Sequence, residues 1–336
     1  MCQNNNLRIE KISREGTAGS EEVGFKDYGC YKSFHIDRQS QKRVLITGVG
    51  SYIGENFRTY ASVHFPNLII DTIDMRDNEW REHDFSLYDT VFHVAGIAHS
   101  DTENVNRDIK DKYYAVNTDL AIETAKIAKR SNVKQFIFMS SMIIYGNSVP
   151  YNKNKVINEY TIPKPANFYG DSKWKADMGI RELGNDSFHV AVLRPPMIYG
   201  KGCKGNYQVL SKWAKKLSIF PNVNNKRSML HIDNLCEFVS LLILSGESGI
   251  YFPQNKEYSN TASLAKEISI TSGKHLYILN FLNPIVLFGC YIPGRVGKTV
   301  NKAFGNSIYS QKISTYQGLK YQCLNLRESI IVTERQ

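Results

Sequence analysis

The chain has no material for a disulfide or zinc framework. Its six cysteines, Cys2, Cys30, Cys203, Cys236, Cys290 and Cys323, are scattered, with no CxxC pair and no metal-ligand spacing. That pattern points away from both frameworks and toward a reducing compartment. Blocks of one charge are missing as well. The net charge is +10, yet Lys and Arg are spread along the chain, and no zinc-finger or aromatic RNP pattern accompanies them. Nucleic acid is therefore not an expected partner, and an anionic small molecule with a generally basic surface accounts for the excess. The first forty residues hold no apolar stretch of the secretory kind, so the expected location is cytoplasmic. Long hydrophobic runs are absent but for residues 276–293, which Asn280, Asn283, Pro284 and Gly289 interrupt. A bilayer span needs about 20 apolar residues. Polar groups in lipid are costly, so this segment is expected to be buried or interfacial, not a membrane span. No internal repeat is visible.

What is present is an alternation of strands and helices. Residues 1–41 are polar, without a hydrophobic period, and are expected to be a flexible extension. From residue 42 short, mainly apolar runs recur at 43–47, 68–73, 90–95, 134–139 and 188–193. Helical patterns lie between them, at about 52–62, 113–130 and 169–183. Continuous apolar strands separated by helices predict an α/β fold with a Rossmann-type doubly wound parallel sheet over residues 42–194. After Pro195 the alternation weakens, and residues 195–336 are expected to form mainly a smaller C-terminal substrate-binding lobe.

Between the first strand and its helix stands Thr47-Gly48-Val49-Gly50-Ser51-Tyr52-Ile53-Gly54. Glycines there let a backbone approach a pyrophosphate, and the helix start offers free N–H groups and a positive dipole end. A glycine turn without ligand is the plain alternative, but the position after the first strand favours a dinucleotide site. Asp74 ends the second strand, 20 residues after Gly54, where a carboxylate can accept from ribose hydroxyls and favours NAD. Arg76 could instead pair with a 2′-phosphate, which leaves NADP open.

Tyr169-Gly170-Asp171-Ser172-Lys173 is a YxxxK pattern. On a helix, positions i and i+4 share a face, so the phenol and the ammonium can meet one substrate and cofactor. The Lys charge is expected to lower the Tyr169 pKa toward a useful range. By itself the pattern is also that of a half-buried Tyr beside an exposed Lys. Ser141, just past the fourth strand, strengthens the case: its hydroxyl can hold a reacting hydroxyl or carbonyl beside Tyr169, unless Ser140 and Ser141 only cap the turn.

These pieces resemble the extended short-chain dehydrogenase/reductase family, in its nucleotide-sugar epimerase/dehydratase branch. The likeness covers roughly residues 43–270. It rests on TGVGSYIG, Asp74, FHVAG (92–96), VNTDLA with Asn117, SSMIIYG, YGDSK, LRPPMIYG (193–200) and RSMLHIDNL (227–235). It implies that Gly48, Ser51 and Gly54 fill a GxxGxxG turn, Ser51 replacing the usual middle glycine, with Gly50, Tyr52 and Ile53 completing the cofactor loop. It further implies an adenine contact at Asp84 and Phe85, a pyrophosphate and nicotinamide wall at Ala95 and Gly96, and Asn117 on the cofactor side. Ser141, Tyr169 and Lys173 would be catalytic, Tyr169 and Lys173 also touching the cofactor. Arg227 would pair with the substrate diphosphate, a bidentate task that suits guanidinium.

Two departures narrow the reaction. Dehydratases of this branch carry Asp-Glu after the hydroxyl residue, where Met142 and Ile143 stand here. Dehydration is not expected, and Met142 becomes a substrate neighbour. Galactose-pathway epimerases carry an Asn after the sixth-strand Arg, whereas Arg194 leads into Pro195-Pro196-Met197; Lys201 and Asn206 are the substitute candidates. LRPPMIYG and AGIAH stand closer to capsule and O-antigen epimerases and 4-keto reductases. The resemblance implies an NAD-dependent 4-epimerase of UDP-glucose or UDP-N-acetylhexosamine type, serving cell-surface polysaccharide precursors. The alternative is an NAD(P)H-dependent reductase of a UDP-4-keto sugar, and a third reading is a non-catalytic dinucleotide sensor. It also implies a homodimer through the helices at 113–130 and 169–183.

Overall fold

Runs that carry apolar residues on both faces need cover on both sides, and the chain supplies it with helices. In the computed structural model, which describes residues 27–98 and 107–335, β1 is Lys42–Thr47, β2 Leu68–Ile73, β3 Thr90–His93, β4 Gln135–Met139, β5 His189–Leu193 and β6 Gly249–Tyr251. They form one sheet in the order β6-β5-β4-β3-β1-β2, with every pair parallel. Val44 and Ile46 of β1 face one core, with Phe57 and Ala61 of helix α1 (Tyr52–His64). Leu45 faces the other, which holds Ala121, Ala125, Ala176 and Ile180. A one-residue slip would exchange these faces, so burial fixes the register.

The second face is built by α2 (Arg107–Tyr114), α3 (Leu120–Arg130) and α4 (Phe168–Arg181). The helix expected across 113–130 is thus one path in three parts, because a π turn, Ala115–Asp119, joins α2 to α3. Such bulges favour functional positions, and this one carries Asn117.

The chain beyond residue 194 does not stay in a separate lobe. Helix α5 (Asn206–Lys216) does, but α6 (Ile232–Ser245) packs against α1 and β6 pairs with β5. The boundary expected at 194 is therefore crossed twice. The lobe proper is stapled by two-stranded pairs, Met197–Tyr199 with Met229–His231 and Ile219–Pro221 with Tyr277–Leu279. Helices α7 (Thr261–Thr271) and α10 (Leu326–Glu334) give it a core of its own around Tyr199, Phe220, Leu264, Ile268 and Ile330. Between them come α8 (Asn283–Tyr291) and α9 (Arg295–Phe304).

The flexible extension expected over residues 1–41 is corrected for 27–41; residues 1–26 lie outside the described residues. Tyr28 and Phe34 are buried. Tyr28 bridges to Ile250 of β6 and stacks on Phe252. Phe34 donates its N–H to the Gln317 carbonyl at 3.1 Å and joins the main core. Two isolated aromatic anchors supply the burial that a periodic pattern would have announced. Residues 276–293 lie mostly at the surface, and among the described residues no helix is long and apolar enough to cross a membrane. Phe34→Ala should cost about 3 kcal/mol of unfolding free energy by the usual large-to-small penalty. Urea denaturation measures this, and a loss below about 0.5 kcal/mol, the scale of a surface change, would mean that 27–41 is no part of the cooperative fold.

Candidate active site

Strand order reverses between β1 and β3, and their carboxyl ends open the crevice where such sheets bind ligands. Gly48 leaves β1 at φ +96° and donates its N–H to the Ile73 carbonyl at 2.9 Å. A Cβ there would lie 3.0 Å from the Ala95 Cα, so only glycine brings the β1 and β3 ends this close. Gly50 follows at φ +74° in open space, beside exposed Val49. Ser51 caps α1, its Oγ accepting from the Gly54 N–H at 3.2 Å. A Cβ on Gly54 would fall 2.6 Å from that oxygen. Ser51 thus replaces the family's middle glycine as an N-cap. Tyr52 and Ile53 pack inward, the Tyr52 hydroxyl buried without a hydrogen-bond partner. What they offer a ligand is therefore their backbone N–H at the helix start.

Asp74 stands past the end of β2, but not alone. Arg76 folds onto it, Nε lying 2.9 Å from both carboxylate oxygens, and this pairing holds the Asp74 carboxyl down at about 2. Both groups are at the surface. Asp84 caps a short turn, Phe85–Leu87, accepting from the Ser86 N–H and hydroxyl at 2.9 and 2.6 Å, which lowers its pKa. Phe85 is fully buried and supports that turn from below.

Ser141 follows β4 as the cap of the turn Met142–Tyr145, its Oγ accepting from the Ile143 N–H at 3.2 Å. Its hydroxyl also acts on the Tyr169 phenol, opposing the rise in its pKa. Tyr169 lies in the first turn of α4, where Asn167 is the N-cap, and its ring meets Tyr113 of α2 edge-on at 6.0 Å. Lys173, one turn on, is buried; its Nζ donates to the Met139 carbonyl at 2.9 Å and lies 3.1 Å from where a Cβ of Gly96 would stand. The structure therefore joins Ser141, Tyr169, Lys173 and Gly96 across β4, α4 and the β3 loop. Asn117 is fully engaged inside it: Oδ1 accepts from the Ile97 N–H at 2.7 Å, and Nδ2 donates to the Ile97 carbonyl and Ser172 hydroxyl. It positions the Gly96 loop on α4 and leaves no free atom for a ligand. His99 of the AGIAH stretch lies outside the described residues.

The expected lowering of the Tyr169 pKa is reversed here. Burial pushes the phenol up to about 12, Tyr113 adds to this, and Ser141 opposes it. Burial pulls Lys173 down to about 8, and its ammonium is spent on a carbonyl. His93, buried between β1 and β4 with Nδ1 2.9 Å from the Thr47 hydroxyl, is pulled to about 3 and stays neutral.

Sequence reasoning missed the pair that anchors this assembly. Arg194 at the end of β5 grips Asp177 of α4 through Nε and Nη2, at 2.9 and 2.7 Å, and donates Nη1 to the Tyr145 hydroxyl at 2.8 Å. The signal was available: Asp177 is four residues past Lys173, hence on the same helical face.

On the lobe side Arg227 donates Nη1 to the Lys302 carbonyl at 2.6 Å. Burial without a carboxylate partner among the described residues lowers it to about 10. Met142 lies beside the lobe, its sulfur 3.7 Å from the Ser307 hydroxyl. Lys201 and Asn206 are exposed on the turn before α5 and at its first residue, and among the described residues no side-chain bond brings either to Ser141 or Tyr169. No group of three or more His, Cys, Asp or Glu among the described residues could hold a metal. The positive-φ glycines, the free N–H groups of α1 and an unpaired buried Lys173 do fit a dinucleotide.

The model of the NAD dependent epimerase/dehydratase family matches residues 44–252, and the chain belongs to that family. It is 26% identical over 272 residues to the N-acetyl-alpha-D-glucosaminyl-diphospho-ditrans,octacis-undecaprenol 4-epimerase of Escherichia coli O157:H7, covering 79% of each chain. It is 26% identical over 296 residues to the UDP-glucose 4-epimerase of Vibrio cholerae, covering 81% of this chain and 85% of that one. The fold superposes on UDP-glucuronic acid 4-epimerase from Bacillus cereus in complex with NAD at a TM-score of 0.63 and 15% identity, covering 86% and 96% of the chains. NAD is the cofactor of the family, and neighbours of the same fold also carry NADP.

Lys173 binds fewer protons folded than unfolded between about pH 8 and its ordinary 10.5. It therefore makes stability rise with pH across that window. Lys173→Met should lack that rise, as urea titrations of both proteins at pH 7 and 10 will show; the same rise in both would mean Lys173 is not held in a costly burial.

Proposed function

We propose that the chain is an NAD-dependent 4-epimerase of a sugar carried on a diphosphate, a UDP-hexose or UDP-N-acetylhexosamine, in the supply of cell-surface polysaccharide precursors. The observation that carries this reading is the grouping of Ser141, Tyr169 and Lys173 at the crevice of the sheet, with Met142 and Ile143 where a dehydratase needs carboxyls. Two relatives named as 4-epimerases support it.

Bound NAD supplies the hydride acceptor and donor. The Gly48–Gly54 turn and the N–H groups of α1 hold its pyrophosphate, Asp74 its ribose once Arg76 swings aside, Asp84 its adenine end, and Ala95 and Gly96 its nicotinamide side. Ser141 orients the C4 hydroxyl of the sugar. Tyr169 takes its proton as C4 is oxidised and returns it after the 4-keto sugar has turned over. At a resting pKa of about 12 the phenol is a poor base near neutrality. A neighbouring cation lowers such a pKa, so the reactive state needs Lys173 released from the Met139 carbonyl toward the ribose and Tyr169. Arg227, half-buried and without an anionic partner among the described residues, pairs with the substrate diphosphate, with Met142 on the sugar side and Lys201 and Asn206 at the rim. The faces of α2–α3 and α4 form the interface of a homodimer, which solution mass tests.

Tyr169→Phe should lower turnover about 10²–10⁴-fold, the usual worth of a general acid–base group, while released NAD per chain stays at the wild-type value. The assay is interconversion of UDP-glucose with UDP-galactose, and of the N-acetyl pair, without added nicotinamide. Full activity in the variant, or no interconversion with consumption of NADPH on a 4-keto sugar, would replace this reading with another base or with a reductase. Arg227→Lys should raise KM about tenfold or more with little change in kcat, since the lost contact is bidentate and uniform to ground and transition states. An unchanged KM would remove Arg227 from the diphosphate site.

A further inference from the structure

Residues 268–327 contain no Asp or Glu and seven Lys or Arg: Lys274, Arg295, Lys298, Lys302, Lys312, Lys320 and Arg327. Inside this span, residues 276–293 carry no Asp, Glu, Lys or Arg at all, and the fold buries only Leu276, Gly289 and Cys290 among them. Phe281 is 69% exposed, Ile285 67% and Phe288 74%, with Tyr277, Tyr291 and Val296 about half exposed around them. An exposed apolar patch of this kind marks an interaction surface. Its shape is a helical hairpin: Gly289 of α8 faces Val300 of α9 at van der Waals distance, and Asn301 Nδ2 donates to the Cys290 carbonyl at 2.8 Å. On α9, Arg295, Lys298 and Lys302 follow at i, i+3 and i+7, hence on one face. Lys153 adds a further ammonium 5.5 Å above the Tyr291 ring.

We propose that this hairpin is a peripheral docking surface for an anionic lipid bilayer, with Phe281, Ile285 and Phe288 entering the interface and the basic face of α9 meeting the headgroups. Charge decides between occupants. A second copy across a two-fold axis would set this Lys- and Arg-rich surface against itself, even with Lys312 paired to Glu159 and Arg327 to Glu267. An anionic membrane matches both halves of the pattern, apolar side chains flanked by Lys and Arg. Helix α8 has nine residues, roughly 14 Å at the helical rise, so it lies in the interface and does not cross. The hairpin is also tied to the candidate site, because the Lys302 carbonyl accepts from Arg227 and the Asn283 carbonyl from the Tyr151 hydroxyl. Docking would thus set the Arg227 side of the site next to the bilayer.

The test is flotation of the purified full chain with vesicles of phosphatidylcholine alone or mixed with phosphatidylglycerol. Binding is expected on the mixed vesicles only, weakening as salt screens the headgroups. Ile285→Glu with Phe288→Glu, and separately Arg295→Glu with Lys298→Glu, should each lower vesicle binding about tenfold or more. Ile285 and Phe288 are exposed, so in that variant thermal unfolding and activity on soluble sugar nucleotides should stay at wild-type values. Failure of the wild type to bind phosphatidylglycerol vesicles, or binding untouched by both variants, overturns the proposal. So does an apolar variant that only converts an associated species to monomer, which would assign the patch to a second copy. A chain that floats without epimerising keeps this inference and loses the assigned reaction; one that epimerises without floating does the reverse.

Discussion

The grip of Arg194 on Asp177 is the contact on which the rest of the catalytic side depends. Both groups are buried, and each would be left as an unpaired charge without the other, a loss of about 3–5 kcal/mol in comparable cases. The pair does more than cancel charge. Asp177 lies one turn past Lys173 and two past Tyr169, so holding it sets the rotation of α4 about its axis. Arg194 closes β5, and its remaining Nη1 bond to Tyr145 fixes the far end of the turn that Ser141 begins. Trp174 and Phe252 lie 5.4 and 5.8 Å from the guanidinium carbon, which keeps water from the pair. Its carbonyl accepts from the Tyr309 hydroxyl at 2.7 Å, which ties the last third of the chain to the same point. Strand, helix, serine turn and lobe therefore share one anchor.

Against that paired cation stand two unpaired ones. Lys173 is buried and Arg227 half-buried, with only backbone carbonyls among the described residues to receive their protons, and desolvation lowers both pKa values. An isolated cation out of water is unfavourable unless an anion or a dipole completes it. A dinucleotide and a sugar diphosphate bring what is missing: ribose hydroxyls beside Lys173, phosphate oxygens beside Arg227. The raised Tyr169 pKa belongs to the same logic. The phenol is held in an apolar setting against Tyr113, where any cation delivered next to it acts through a low dielectric and has a large effect. A site poised in this way is weakly basic at rest and becomes basic when filled.

Most of the sheet was legible because its strands are mainly apolar runs bounded by turns, and a run such as Val44-Leu45-Ile46 has apolar residues for both faces. The grouping of the candidate residues was legible because a YxxxK spacing is itself a helical geometry and Ser141 follows a strand end. The missed parts share a different cause. β6 has three residues, Gly249–Tyr251, too few for any period. The 27–41 segment is held by Tyr28 and Phe34, with Cys30 and Ile36 packed beside them and Lys32 paired with Glu247, contacts too scattered to show a period. The Asp74–Arg76 pairing and the use of Asn117 on Ile97 and Ser172 are tertiary choices among several partners of equal chemistry. The Tyr169 pKa went the other way because sequence shows the nearby Lys charge but not the burial that outweighs it.

The two halves of the site sit on different frameworks, the sheet and the lobe, which constrains how substrate choice can vary. The serine turn, the YxxxK helix and the glycine turn all sit on the sheet, where close packing fixes them to within one side chain: Gly48 against Ala95, Gly179 against Ile122. Arg227 sits on the lobe, joined to the α9 end by carbonyl contacts and bridged to Ser259 and Ser307. Ser307 in turn touches Met142, next to Ser141. Changes in the lobe can therefore move the diphosphate grip without disturbing proton transfer at Tyr169. A shift in Ser307 alters the wall of the sugar pocket before it alters the chemistry. Proton transfer thus stays with the rigid sheet, while the identity of the sugar and its carrier is set from the lobe.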